Sequence, residues 1–277
     1  MKAPALPRFS PHFTVIGERI NTHRSDFAMR VQERDTAAVL VELRRQQKAG
    51  ITHVDVNAGG SGAKESDDML WLLDTILPAL KADTGLVLDS ASHECLARAL
   101  FRVHGREHTI INAVTQDTAR MDAILPLVIQ HNTGLIAILG GIDAAPRTAD
   151  ERLAAAEQLH RAIGTANIPD ERLYFDPQVL PVASDTNQPK AVLETIPELR
   201  RRWPNAHILA GLSNVSFNLP RRSLLNRSYL AMLIAAGIDA VILNPRDRRL
   251  RETLIDARAL TGADDFLTDY LAFTTPP

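Results

Sequence analysis

Acid and amide side chains stand at the ends of short apolar runs along this 277-residue chain. Short, continuously apolar runs are typical of parallel strands that are buried on both faces. The polar residues that end or directly follow these runs are Glu18, Asn21, Asp55, Asn57, Asp89, Asn112, Asp176, Ser213, Asn214 and Asn244. Because the strands of a parallel barrel end at one rim, we expect these side chains to line one mouth.

The residue types at these ends favour some chemistries over others. No Lys, Cys or His ends a run, so there is no candidate Schiff-base lysine or thiol nucleophile. Zinc sites with three His, or with two His and a carboxylate, have no source, so no bound zinc is expected. Carboxylates without basic partners can bind magnesium. They can also accept paired hydrogen bonds from the exocyclic amine and ring N–H of an aminopyrimidine.

A structural explanation competes at each position taken alone. Asp and Asn often end strands because they start turns or cap the next helix. Asp89, for example, precedes Ser90 and Ser92 and could serve only as a cap. For the whole set of strand ends, coincidence is the poorer explanation.

The elements that must position these residues alternate eight times. The apolar runs are FTVI (13–16), HVDV (53–56), LVLD (86–89), TIIN (109–112), LIAIL (135–139), LYFD (173–176), HILAG (207–211) and AVILN (240–244). Helical spacing covers residues 35–49, 65–82, 93–104, 116–131, 149–164, 189–202, 221–236 and 247–260. This order predicts a (β/α)8 TIM barrel, although periodicity leaves an open sheet as an alternative. We expect a single domain over 1–277, with an N-terminal extension (1–12) and a C-terminal tail (262–277).

Composition limits the partners and the setting. A net charge of −2 gives no strong field for nucleic acid or an anionic membrane. No apolar run is long enough to span a bilayer, and Pro and charge break up the N-terminal MKAPALPRFSPHF. Cys95 is the only cysteine, so no disulfide framework can form. These features predict a cytoplasmic protein.

Several longer strings resemble the pterin-binding methyltransferases. That family includes methyltetrahydrofolate:corrinoid/iron–sulfur protein methyltransferase and the folate domain of cobalamin-dependent methionine synthase. The strongest string is GLSNVSFNLPRRSLLNRSYLAMLIAAGIDAVILNP (211–245). The others are VIGERIN (15–21), VDVNAGG (54–60), LVLDSAS (86–92), TIINAVT (109–115), GIDAAPRTADERLAAA (141–156) and LYFDPQVLPV (173–182). The resemblance runs in order from about residue 13 to 260.

The resemblance implies roles for individual residues. Asp89, Asn112 and Asp176 would hold the pterin ring, and Asn214 would reach N5, the nitrogen that carries the methyl group. Residues lining the same pocket would be Asp55, Asn57, Gly211, Ser213 and Asn218. Glu18 and Asn21, assigned to the first loop, would hold Asp55 or Asn57 in place. Arginines on predicted loops or first turns that could meet the anionic folate tail are Arg19, Arg24, Arg221, Arg222 and Arg246.

The implied activity is methyl transfer between N5 of (methyl)tetrahydrofolate and the cobalt of a corrinoid. The Asp-x-His-x-x-Gly string that marks a cobalamin-carrying module does not occur, so the corrinoid (cobalamin) would belong to a partner protein. Homodimers are usual in the family. Segments 221–236 and 247–260 are apolar on more than one face, which is consistent with pairing.

Three other functions stay open. A dihydropteroate-synthase-like enzyme would show a Lys late in the seventh strand and a Ser-x-Arg string after the eighth. At these two positions this chain has Leu212–Ser213–Asn214 and Asn244–Pro245–Arg246. The missing Lys argues against a synthase, but because Arg246 is present the synthase is not excluded. The others are a non-catalytic folate-binding subunit and a magnesium-dependent barrel lyase. The direction of methyl transfer cannot be read from the residues.

Overall fold

Eight parallel strands close into a barrel in chain order. The computed structural model describes residues 13–140 and 145–274. The strands are β1 (Thr14–Asn21), β2 (His53–Asn57), β3 (Gly85–Asp89), β4 (Thr109–Val114), β5 (Gly134–Ile138), β6 (Leu173–Asp176), β7 (His207–Gly211) and β8 (Ala240–Leu243). Closure comes from β1, which pairs with both β2 and β8. The predicted single-domain (β/α)8 barrel is confirmed, and the open sheet is excluded.

Helices cover the outside of the barrel. They are α1 (Ser25–Gln32), α2 (Thr36–Lys48), α3 (Glu65–Ile76), α4 (His93–Arg102), α5 (Thr118–His131), α6 (Ala149–Thr165), α7 (Gln188–Arg202), α8 (Arg222–Ala236), α9 (Arg248–Leu260) and α10 (Thr268–Thr274). Side chains that accept a backbone N–H cap five of them, namely Asp35, Ser92, Asp117, Thr148 and Asp247. Each cap defines the residue at which its helix begins and therefore where the preceding loop ends.

Two helices were not predicted. Helix α1 has no side-chain cap and buries only Phe27 and Val31, so its signal in the sequence is weak. Helix α10 lies within the predicted C-terminal tail, where Asp269 forms an ion pair with the fully buried Arg258. The predicted extension 1–12, the last tail residues 275–277 and Gly141 lie outside the described residues.

The barrel interior has an apolar layer beneath a polar one. The apolar layer includes Ile16, Val87, Ile110, Ile136, Tyr174, Leu209 and Ala240. Side chains two positions apart on a strand point to the same side of the sheet. The next inward positions towards the carboxyl ends therefore include Glu18, Asp89, Asn112, Asp176 and Gly211. A separate and larger core packs the outer faces of the strands against the helices.

A membrane span was also sought among the helices. Over residues 13–140 and 145–274, none combines the length and the apolar character that crossing a bilayer requires.

Candidate functional site

Four polar residues stand side by side at the carboxyl ends of adjacent strands. Asn21 lies opposite Asn57, Asn57 opposite Asp89, and Asp89 opposite Asn112 in the parallel pairing of β1 to β4. The carboxyl group of Asp89 also accepts a hydrogen bond from the Asn57 side chain, which works against the rise in its pKa. The pairing therefore brings acid and amide groups together at one part of the mouth.

Asp89 is not the cap of the helix that follows it. Helix α4 begins after Ser92, whose Oγ accepts the backbone N–H of Cys95 at 3.2 Å. Burial raises the pKa of Asp89, while the positive charge of Arg120 lowers it. The helix cap is therefore Ser92 and not Asp89, and the role of Asp89 in binding a ligand stays a prediction.

Asp176 ends β6 in a similar setting. Its Oδ1 accepts the backbone N–H of Gln178 at 2.8 Å, so the residue also forms a turn. Burial raises the pKa of Asp176 to about 6, against the lowering effect of that hydrogen bond and of Arg152. The Asp176 carboxyl group therefore both shapes the loop and has a pKa raised to about 6.

Asp55 lies deeper in the barrel than the other acids. It is paired in register with Val87 of the apolar layer, and only 3% of its surface is exposed. Its Oδ1 has no hydrogen-bond partner among the described residues. Burial raises the pKa of Asp55 well above its ordinary value, and the nearby charges of Asp89 and Glu18 raise it further.

Glu18 lies in strand β1, not in the first loop as predicted. The strand continues to Asn21 through an irregularity in its pairing between Gly17 and Ile20, which the short run FTVI did not reveal. We expected Glu18 to hold Asp55 or Asn57. Its hydrogen bond instead comes from Ser213, whose Oγ donates to Oε1 at 2.6 Å. Burial raises the pKa of Glu18.

Asn21 also lies in β1, and its contacts differ from the expected ones. Its Oδ1 accepts the backbone N–H of His23 at 2.8 Å. The backbone N–H of Thr22 donates a hydrogen bond to the carbonyl of Asn57 at 2.9 Å. The residue next to Asn21 thus makes the contact to β2 that we had assigned to Asn21 itself.

Residues 211–218 form the opposite side of the mouth. Gly211 ends β7, and a short 3-10 turn over Leu212–Ser216 carries Ser213 and Asn214. A Cβ atom on Gly211 would lie 3.5 Å from Nδ2 of Asn214, so the amide of Asn214 lies over the end of β7. Asn214 and Asn218 are both exposed at the rim.

Two arginines that no motif predicted support the strand ends. Arg152 on α6 is fully buried, and its guanidinium donates to the Pro177 carbonyl at 2.6 Å and to Gln188 Oε1 at 2.6 Å. Arg120 on α5 donates to the carbonyls of Ala113 and Ser90, at 2.7 and 2.8 Å. Both lie near the start of a helix that follows a strand, a position from which a long side chain can reach back to the mouth.

A cavity of about 480 Å³ opens beside Glu18, between β1, the turn after β7 and the starts of α8 and α9. We call it the arginine cavity. Its lining includes Glu18, Arg19, Arg24, Ser213, Arg222 and Leu250. Of the five arginines expected to meet a folate tail, Arg19, Arg24 and Arg222 line it. Arg246 lies close by, and its Nη1 is 3.1 Å from Glu42 Oε2.

Metal-binding groups were also sought. Throughout the part of the chain that the structure describes, no three or more His, Cys, Asp or Glu side chains are grouped so that they could hold an ion.

Known proteins similar in sequence handle methyl groups. The chain is 26% identical over 258 residues to the methylcorrinoid:tetrahydrofolate methyltransferase of Eubacterium limosum, covering 92% of this chain and 94% of that protein. It is 26% identical over 243 residues to methionine synthase of Mycobacterium tuberculosis, covering 83% of this chain. It spans only 20% of that synthase.

Solved structures share the fold. Dihydropteroate synthase from Vibrio fischeri ES114 has a TM-score of 0.68 at 17% identity, covering 96% of this chain and 95% of that one. The Coxiella burnetii dihydropteroate synthase in complex with pteroic acid has a TM-score of 0.67 at 16% identity, covering 92% and 95%. At these identities the likeness concerns the fold alone. The family model described as pterin binding enzyme matches residues 17–244. The chain therefore belongs to the pterin-binding enzyme family, and its resemblance to the pterin-binding methyltransferases is confirmed.

Proposed function

We propose that this protein moves a methyl group between N5 of (methyl)tetrahydrofolate and the cobalt of a corrinoid carried by a partner protein. The observation that carries the proposal is the E. limosum methylcorrinoid:tetrahydrofolate methyltransferase, which aligns over 92% of this chain and 94% of its own length. The M. tuberculosis methionine synthase match supports a methyl-transfer role as well.

The strand-end acids and amides suit the polar edge of a pterin. In our proposal Asp89, Asn112 and Asp176 accept from and donate to the amine, ring N–H and carbonyl of the pyrimidine ring. A carboxylate that accepts two N–H groups at once makes charge-assisted bonds, which are about twice as strong as neutral ones. The deeper Asp55 and Asn57, together with Gly211, Ser213 and Asn218, complete the walls of the pocket.

Asn214 is proposed to act at N5. Methyl transfer away from N5 leaves an amine that is a poor leaving group unless it gains a proton or a strong hydrogen bond. The Asn214 amide can donate to N5 or accept from a protonated N5. A hydrogen bond that strengthens as charge develops lowers the barrier rather than only aiding binding. Glu18 supports the same turn through its hydrogen bond from Ser213.

The corrinoid would supply the cobalt that takes up the methyl group in one direction and donates it in the other. The exposure of Asn214, Phe217 and Asn218 at the rim is compatible with a partner approaching from solvent. The proposal needs no metal bound to this chain. It leaves the direction of transfer open, and a cytoplasmic location stays a prediction.

Anaerobic assay with free cob(I)alamin tests this function. Enzyme mixed with methyltetrahydrofolate should convert cob(I)alamin into methylcobalamin, which absorbance follows directly. The reverse assay uses methylcobalamin and tetrahydrofolate. Folate binding without transfer in either direction would favour a non-catalytic folate-binding subunit, and binding that requires magnesium would favour the lyase.

A dihydropteroate-synthase-like activity is the second candidate, because the fold is shared at a TM-score of 0.68. Against it, β7 ends at Gly211 and continues into Leu212–Ser213–Asn214 without a lysine. Condensation of a pterin diphosphate with p-aminobenzoate is the assay that separates the two. We expect no product from it.

A further inference from the structure

We propose that the arginine cavity binds the anionic p-aminobenzoyl-glutamate tail of the folate, so that the enzyme selects folates over pterins that lack a tail. The inference rests on the proposed pterin site and adds the part of the substrate that the pterin pocket does not recognise. The cavity lies next to that pocket, because Glu18 and Ser213 belong to the lining of the cavity and also face the mouth.

The order of the strands points the tail towards this cavity. Asp89, Asn112 and Asp176 end β3, β4 and β6, whereas the cavity lies among residues of β1, the turn after β7, and α8 and α9. A pterin held by its pyrimidine edge on the first set of strands turns its opposite edge, N5 and C6, towards the second set. The tail is attached at C6, and it therefore leaves the ring system on the side of the cavity.

The charges around the cavity suit an anion. Arg19, Arg24 and Arg222 bring three guanidinium groups to its lining, where the carboxyl groups are those of Glu18 and Asp247. Arg19 and Arg24 also form ion pairs with Glu42 and Asp26, which do not line the cavity, so the cavity itself keeps a positive lining. Glu18 is already engaged, because its Oε1 accepts a hydrogen bond from Ser213 Oγ at 2.6 Å. The Asp247 carboxylate is already engaged, since it caps α9 and accepts from Ser223 Oγ at 2.5 Å.

Arg222 has donor groups left for a ligand. Within the described residues Arg222 forms no ion pair, and its guanidinium is oriented by the Ser213 carbonyl at 2.6 Å and by Ser216 Oγ at 3.0 Å. Arg19 is already paired, since its Nε lies 3.6 Å from Glu42 Oε1, and it makes no hydrogen bond at this distance. Burial and the nearby charge of Arg24 lower the pKa of Arg19, whereas the charge of Glu42 raises it, so Arg19 adds a partly compensated positive charge beside Arg222.

The size and lining of the cavity also suit the tail. A volume of about 480 Å³ lies within the range of small-molecule pockets, about 300 to 1,000 Å³. The guanidinium groups in the lining match the planar geometry of the glutamate carboxylates.

The test compares three ligands that share one ring system. Isothermal titration under anaerobic conditions gives Kd values for tetrahydrofolate, tetrahydropteroate, which lacks the glutamate, and 6-methyltetrahydropterin, which lacks the whole tail. We expect tetrahydrofolate to bind about tenfold or more tightly than 6-methyltetrahydropterin, because a hydrogen bond to a charged group contributes about 1.5–3 kcal/mol. The difference should shrink as salt is raised, since the guanidinium groups are partly exposed.

Variants assign the effect to the cavity. Arg24→Ala should weaken tetrahydrofolate binding about tenfold and leave the Kd of 6-methyltetrahydropterin unchanged. Arg24→Lys should recover part of the loss. Arg102→Ala is the matched control. Arg102 lies on α4 and forms an exposed ion pair with Asp74 of α3, so this variant also removes one positive charge, but far from the cavity. Thermal unfolding verifies that each variant is folded. If Arg24→Ala does not fold, Arg19→Gln is used in its place.

Two results overturn the proposal while the proposed function stands. One is equal Kd values for all three ligands in the unmodified protein. The other is an Arg24→Ala or Arg19→Gln variant that loses the tail-less pterin as much as tetrahydrofolate. If none of the three ligands binds, the proposed function falls together with this inference, so the two failures are distinguishable.

Discussion

Asp176 and Asp89 are half-buried residues, and desolvation raises the pKa values of both carboxyl groups, that of Asp176 to about 6. If they accept N–H groups from the pterin, they must be ionised to bind it. Affinity should therefore be highest above pH 6 and fall as the pH drops through this value, by up to about tenfold per pH unit for each proton taken up. Titration of tetrahydrofolate binding from about pH 5.5 to 8 measures this dependence.

The Asp176→Asn variant is the control for that pH profile. It should bind the pterin more weakly above pH 6 and lose the part of the pH dependence centred near 6. Any residual pH dependence would come from Asp89, whose pKa is also raised. An unmodified protein whose affinity rises on acidification would contradict the assignment of both acids as acceptors.

Asn214 is predicted to matter more for turnover than for binding. Removal of a hydrogen-bond donor that acts in the transition state typically lowers the rate by about 10²–10³. We expect Asn214→Ala to reduce kcat by this factor while the Kd of tetrahydrofolate changes little. Asn205→Ala, which removes an exposed amide from the turn before β7, is the control and should change neither kcat nor Kd. Weakened binding with kcat intact would refute the role.

Asp55 is predicted to destabilise the fold at neutral pH. Burial raises its pKa in the folded state, so the folded protein holds a proton that the unfolded chain releases above about pH 4. Below about pH 4 Asp55 is protonated in both states and does not lower the free energy of unfolding. As the pH rises towards the folded-state pKa of Asp55, the free energy of unfolding decreases, because the unfolded chain releases this proton and the folded protein does not. Asp55→Asn should therefore have a higher Tm than the unmodified protein at pH 7, and the same Tm near pH 4. A variant that is less stable at pH 7 would show that the Asp55 carboxylate is compensated.

At the scale of elements, the loop after β6 depends on one buried cation from α6. Arg152 contacts the carbonyls of Thr148 and Pro177 and the side chain of Gln188, which in turn donates to the Pro146 carbonyl at 3.1 Å. The approaches to α6 and to α7 are thus tied together behind Asp176. Burying an arginine is favourable only because so many acceptors surround it.

Replacing Arg152 should loosen both approaches. Arg152→Gln leaves several buried carbonyls without donors, each at about 1–3 kcal/mol, so we expect a fall of about 3 kcal/mol or more in the free energy of unfolding. Arg161→Gln on the exposed face of α6 is the matched control and should change stability by less than about 0.5 kcal/mol. Denaturant unfolding provides the comparison. Equal effects of the two variants would contradict the role of Arg152.

At the scale of the whole molecule, α8, α9 and the following segment present apolar side chains to solvent. Met232 is 51% exposed, Leu260 87% and Leu271 52%, and a shallow groove between α8 and α9 is lined by small residues such as Ala231 and Ala257. Exposed apolar patches of this kind often mark protein interfaces. The homodimer that the family resemblance implies stays a proposal, and this surface is where we propose that the two copies meet.

Sedimentation tests the homodimer. The unmodified protein should sediment at about twice its chain mass of 30.5 kDa. Met232→Glu combined with Leu260→Glu should shift it to the monomer, because both charges would be buried in the interface. Phe101→Glu is the control, since Phe101 is 81% exposed on α4. If the unmodified protein sediments as a monomer, the homodimer proposal is wrong.

Local patterns in the sequence predicted the eight strands and the polar residues at their ends, whereas closure into a barrel required the pairing of β1 with β8. Strand and helix periods are local properties, and β6 and β7 occupy the predicted residues 173–176 and 207–211 without change. The placement of Asp89 and Asn112 at neighbouring strand ends follows from the same local pattern, because parallel strands in a closed barrel end at one rim. The family resemblance added the proposed roles of these residues.

Only the tertiary structure decided which partners these residues have. Ser213 and Glu18 are 195 positions apart in the chain, and their hydrogen bond exists because β1 and the turn after β7 meet at the closed barrel. The burial of Arg152 and the raised pKa of Asp55 likewise depend on surroundings assembled from distant segments. Periodicity records where a side chain lies on its own element, whereas desolvation and hydrogen bonding depend on what the closed barrel packs against it.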